Sequence, residues 1–167
     1  MKTQIQEMIK EAHSIEWDAI YSSKGHFNAA MLWNIIHYSL GLAAISSAVA
    51  GQQLCTSRNT SATFLAFLSA ALAAAITFLK PVDKADPHHK AGTEFAALRR
   101  EARIFQNIDA FTENDTVNTL ARLKLLADKV KELNQNAPPI PFLAYQITKI
   151  GVRKGEATYN ESDGEKS

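Results

Sequence analysis

The chain has 167 residues, 46% of them hydrophobic, with 18 Lys and Arg against 17 Asp and Glu and a single cysteine. That length allows one domain, the near-balance of charge gives no reason to expect direct nucleic-acid binding, and the lone Cys55 excludes a disulfide framework and a metal cluster of the Cys-x-x-Cys type. The averages hide a partition: residues 29–50 and 62–79 contain no Asp, Glu, Lys or Arg, and only Arg58 is charged in the connector 51–61. With about a third of the chain in the stretch 29–79, a large soluble core is excluded.

Residues 1–28 read as an N-terminal amphipathic helix. Ile5, Met8, Ile9, Ala12, Ile15, Ala19 and Ile20 recur at the spacing of one apolar face. Three Lys against four acids give the segment a net charge of −1, which disfavours binding of this helix to anionic lipid and favours packing on another helix. Trp17 and Tyr21 fall toward the headgroup end, and Gly25 is expected to kink the helix before the apolar run. The acids Glu7, Glu11, Glu16 and Asp18, with the length of that run, argue against a cleavable signal peptide.

Residues 29–50 and 62–79 predict two transmembrane helices joined by an external loop over 51–61. At 1.5 Å per residue, helices of this size reach about 27–33 Å, close to the ~30 Å hydrocarbon core. In the first, Asn34, His37, Tyr38 and Gly41 recur at i, i+3, i+4, i+7 and form a polar stripe. Polar groups at membrane depth face a partner helix or water, so the stripe fits either pore lining or hydrogen bonding between helices. In the second, Ala62, Ala66, Ala70 and Ala74 make a small-residue ladder that allows close helix approach, opposite Leu65, Leu68, Leu72, Ile76 and Leu79. Basic residues near the span ends, Lys10 and Lys24 before the first and Lys80, Lys84, Lys90, Arg99 and Arg100 after the second, put both termini in the cytoplasm.

Residues 80–154 read as a cytosolic helical region with 13 Lys and Arg against 9 acids, an excess of +4 that suits anionic lipid or a polyanionic partner. Pro87 is expected to break the chain, with a new helix from near His88 whose stripe is Phe95, Leu98, Ala102, Phe105, Ile108 and Phe111. Asn114 to Thr116 supply a turn and N-cap, and Val117, Leu120, Leu123, Leu126, Val130 and Leu133 renew the pattern. Residues 134–141 form a loop. A short helix from about Phe142 is expected to pack back through Leu143, Ile147 and Ile150, and residues 155–167 are too polar to fold. The expected class is an all-α membrane protein: a transmembrane hairpin with an N-terminal amphipathic helix and a long cytosolic, coiled-coil-like helical region.

No motif for phosphate binding, nucleophilic catalysis or zinc hydrolysis is present, so no enzyme, cofactor, catalytic residue or metal site is expected. The adjacent His88 and His89 point about 100° apart on a helix and do not converge as ligands at i, i+4 would.

Three segments carry a family resemblance: Trp17-x-Ala19-x-Tyr21; His89-x-x-Gly92-x-x-Phe95-x-x-Leu98-Arg99; and Pro139-Ile-Pro-x-x-Ala-Tyr-x-x-x-x-Ile150-Gly-x-x-x-Gly-Glu156. With two spans between the first and second, the chain resembles the SLATT family of bacterial two-transmembrane effectors, to about Tyr159. The resemblance implies two membrane helices and a long cytosolic helix in the bacterial inner membrane. It implies an anti-phage effector that assembles as a homo-oligomer and permeabilises the membrane when triggered by a nucleotide-signalling or reverse-transcriptase partner. Family members often carry tyrosine at the Phe95 position, and this sequence has no fused sensor, so the trigger is expected from a separate protein or ligand. Two other readings stay open: a membrane-anchored adaptor whose cytosolic helices recruit a partner, and a holin-like small channel.

Overall fold

A computed structural model describes residues 2–55, 60–110 and 116–156. Among these, α1 covers Lys2–Cys55, α2 Thr60–Leu79, α3 Pro81–Ile104, α4 Thr116–Asn136 and α5 Phe142–Arg153. A π turn at Phe105–Asp109 follows α3. The described residues contain no strand. The chain divides into two compact units, one of residues 1–29 with 88 onward and one of residues 30–87.

The first unit is built on large apolar side chains. Met8, Ala12, Ile15 and Ala19 of α1 form one buried cluster with Phe95, Leu98, Ala102 and Phe105 and with Leu123 and Leu126 of α4. The heptad-like stripes expected over 1–28 and from Phe95 onward are thus the faces that meet. Ile108 departs from its stripe and is exposed, because the π turn rotates the chain there. Its cause is local: the Gln106 side-chain amide donates to the Ala102 carbonyl at 3.2 Å and to Glu16 Oε2 at 3.0 Å. A side chain so bonded competes for the carbonyl of the helical ladder, and Ala110 N–H reaches back to the Phe105 carbonyl.

Several expected boundaries move. Gly25 does not interrupt α1, which is helical through it. Its hydrogen-only side instead admits Ile140, whose Cδ1 would lie 2.7 Å from a Cβ at this position. Pro87 does not end or start a helix; it lies inside α3, which begins at Pro81. Proline at a first helical position loses no bond, because its N–H would be unpaired anyway, whereas Pro87 costs one bond in the second turn. The break between α2 and α3 falls at Lys80, where the second apolar run is expected to end; it is left-handed with φ of 43° and precedes Pro81, whose ring disfavours the right-handed helical conformation there.

The connector shrinks, with α1 helical to Cys55 and α2 starting at Thr60; residues 56–59 lie outside the described residues. So do Phe111, the capping residues 114 and 115, and the tail from 157 on. Gly155 and Glu156 close α5 as a left-handed C-terminal cap. Gly155 has φ of 86°, and its N–H and that of Glu156 bond the Val152 and Gly151 carbonyls at 3.1 and 3.2 Å.

The expected face of α5 is reversed. Leu143, Ile147 and Ile150 are exposed, and Ala144, Thr148, Gly151 and Val152 are buried. Small residues win the contact because they let α5 approach α1 closely enough for Asn28 Nδ2 to donate to Thr148 Oγ1 at 2.9 Å.

Candidate functional site

In the second unit the two apolar helices meet along small residues. Ala44, Ser47 and Gly51 of α1 are buried, as is Ala62 of α2. A Cβ on Gly51 would stand 3.3 Å from Leu65 Cβ and 3.4 Å from the Ala62 carbonyl oxygen. Farther along, Ser69 Oγ donates to the Ala44 carbonyl at 2.9 Å. Residues 51 and 44 thus pair with 62–65 and 69, so the two segments run in opposite directions.

This seam uses the side of α2 that carries Leu65, Ser69, Leu72 and Ile76, all partly buried. Of the alanine ladder only Ala62 is buried; Ala66, Ala70 and Ala74 are exposed. Leucines pack against α1 because glycine, serine and alanine on that helix leave room for them. Ala66 and Ala70 line an open groove of about 950 Å³, together with Ala48, Gly51, Phe67 and Ala73.

The polar stripe of α1 is split by the same packing. Asn34 and Tyr38 are exposed, Tyr38 by 71%. His37 is partly buried, and its Nδ1 is fully enclosed with no hydrogen-bond partner. Its ring meets Tyr38 edge-on at 5.4 Å. Around Gly41 nothing approaches within 4 Å of a Cβ position, so it is not a close-contact point within the chain. Lys84 Nζ sits 4.6 Å above the Trp33 ring, a cation held on an aromatic face.

The segment carrying the family-like motif lies in the first unit, on the face of α3 that meets α1. Phe95 and Leu98 are buried, and Gly92 is open to the Phe27 ring, whose Cδ1 would be 2.9 Å from a Cβ there. His89 is exposed and meets Phe27 edge-on at 5.6 Å. Arg99 Nε stands 3.9 Å from Glu16 Oε1.

The neighbour of His89 has the more constrained environment. His88 is buried with its Nδ1 3.0 Å from Nδ1 of His26, and His26 stacks on Phe95 at 5.6 Å with 9° between the rings. One imidazole donates and the other accepts, so the acceptor is neutral and the two rings cannot both be charged. Burial, then the charge of His88, pulls His26 down from 6.5 to about 4; burial also lowers His88. Sequence reasoning separated His88 from His89 as metal ligands but had no signal for His26, 62 positions away.

A smaller cavity of about 270 Å³ in this unit lies beside the π turn, lined by Ile104, Phe105, Leu125 and Leu126 and rimmed by the Arg122–Asp109 and Lys129–Glu101 pairs. Among the described residues no group of three or more His, Cys, Asp or Glu is placed to hold a metal ion.

Among the described residues two helices are long and apolar enough to cross a membrane, one in α1 and one beginning at α2. No protein-family model matches the chain, and neither a curated protein nor a solved structure matches it significantly.

Proposed function

We propose that residues 29–50 and 62–79 cross a bacterial inner membrane as a hairpin, with both termini cytoplasmic, and that several copies assemble into a permeation path. The observation that carries this reading is the polar stripe: Asn34 and Tyr38 are exposed within the uncharged run 29–50. In hydrocarbon no water bonds such groups, and a neighbouring copy or a water-filled lumen supplies the missing bonds. Two spans cannot enclose an aqueous path, so the path needs a closed ring of subunits. The exposed alanines at 66, 70 and 74 provide a close-approach face for the next copy.

The resemblance to SLATT effectors adds the biological role: an anti-phage effector, switched on by a separate nucleotide-signalling or reverse-transcriptase partner, that depolarises the cell and limits phage spread. The purified chain in detergent is expected to be a defined oligomer by light scattering and to conduct ions after reconstitution in planar bilayers. Asn34→Leu should lower the unit conductance without changing subunit number. Unchanged conductance would assign the stripe to hydrogen bonding between helices, and a strictly monomeric, non-conducting protein would remove the pore reading altogether.

A further inference from the structure

α5 leaves an apolar flank uncovered in a place that matters. Leu143, Ile147 and Ile150 share one side at i, i+4, i+7 and are exposed, with Phe142 beside them 72% exposed. Between residues 142 and 154 there are three cations, Lys149, Arg153 and Lys154, and no acid. Apolar groups and bare positive charge on one short helix match the chemistry of an anionic lipid surface, where acyl chains and phosphates are offered together.

The contacts of α5 fix its level. Thr148 bonds Asn28, the residue immediately before the first apolar run. Before α5, Ile140 fills the space at Gly25; after it, Glu156 pairs with Lys24 at 3.1 Å. These α1 positions lie one to five residues before residue 29, within about 8 Å of helix rise, and Val152 packs with Ile20 one turn farther back. If α1 enters the bilayer at residue 29, α5 is held beside the membrane surface.

We propose that α5 is an interfacial helix that seats its Leu143–Ile147–Ile150 flank on the anionic inner leaflet, with Lys149, Arg153 and Lys154 on the lipid phosphates. The proposal rests on the membrane reading of residues 29–50. It gives the Asn28–Thr148 bond a purpose: a helix floating at the lipid surface is tied to the point where the first span begins, so lipid composition is felt at the span itself.

The test uses the full chain with Cys55→Ser and single labelling sites for an environment-sensitive fluorophore at Ile150→Cys, at Phe67→Cys in α2, and at the exposed Lys131→Cys in α4. Each protein is reconstituted into vesicles of phosphatidylcholine with or without one quarter phosphatidylglycerol, and quenching by lipid-borne quenchers is read. Positions 150 and 67 should be quenched in anionic vesicles and position 131 should not. Reversing Lys149, Arg153 and Lys154 to Glu should return position 150 to the level of position 131 and leave position 67 unchanged, with helicity by circular dichroism retained. Quenching at 67 with none at 150 overturns the proposal while the spans stand. No quenching at either position removes the membrane reading and the proposal with it. A label at 150 that is shielded from water but unquenched by lipid, and that responds to protein concentration, would assign the flank to a second copy or another protein. Quenching at 150 that survives the charge reversal would exclude anionic lipid as the recognised surface.

Discussion

The two units of this chain place their large side chains in opposite ways. In the first, Phe95, Leu98 and Phe105 are buried. In the second, Phe67 and Phe78 are 72% and 86% exposed, and the buried residues of the seam are Ala44, Ser47, Gly51 and Ala62. Burial of large apolar groups is what water drives. Where the surroundings are themselves apolar, that drive is absent and contact depends on how closely backbones approach, which favours small residues. The chain thus uses two packing modes, large side chains between α1, α3 and α4 and small ones along the α1–α2 seam.

The sharpest way to break the comparison is to truncate a phenylalanine in each unit. Phe105→Ala should cost about 3–5 kcal/mol, read as a fall in the thermal midpoint of the protein in detergent. Phe67→Ala should stay within about 0.5 kcal/mol, as a surface change does. Equal losses would mean that both units are built on the same rule. Next in size is the seam: Gly51→Leu must displace Leu65 or the Ala62 backbone and should cost about 1–3 kcal/mol, whereas Gly41→Leu, with open space around it, should cost far less.

The histidine pair tests the first unit alone. In the unfolded chain both rings titrate near 6.5, and in the fold His26 titrates near 4. The unfolded state therefore binds more protons between these values. Stability from the neutral pair is complete above about pH 6.5 and declines as the pH falls toward 4. Thermal unfolding followed across that window should show the decline, and His26→Phe should flatten it. A gain is expected at Lys80, held at φ of 43°; Lys80→Gly relieves the left-handed strain and should stabilise by about 1 kcal/mol, read as a rise in the thermal midpoint.

Most of the helical framework is legible in the sequence, and the reason differs by unit. The stripe from Ile5 to Ala19 and the one through Phe95, Leu98 and Phe105 are long amphipathic patterns, and water leaves them one way to pack. The apolar runs are legible from charge alone. The candidate site is less so. The polar stripe at Asn34, His37 and Tyr38 is visible as a pattern, but which member lies in the seam depends on the rotation of α1 against α2, and a helix apolar on all sides does not encode that rotation. Whether the alanine ladder meets α1 of the same chain or of a neighbouring copy is not encoded either: Gly51 and Ser47 on α1 already supply the close approach, leaving leucines as the fitting counterpart.

The sequence by itself determined that this chain is helical, that two of its segments can cross a bilayer, and that the segments outside them carry matched apolar stripes. Hydropathy and periodicity are local properties, and local properties survive in one dimension. Only the tertiary structure decided that His26 meets His88, that α5 packs through Ala144 and Thr148 and turns its larger residues outward, and that His37 is half-buried with an enclosed Nδ1 while Asn34 and Tyr38 are exposed. Each of these depends on which faces of distant helices come together, and that is settled by the fit of small side chains against large ones across the whole fold.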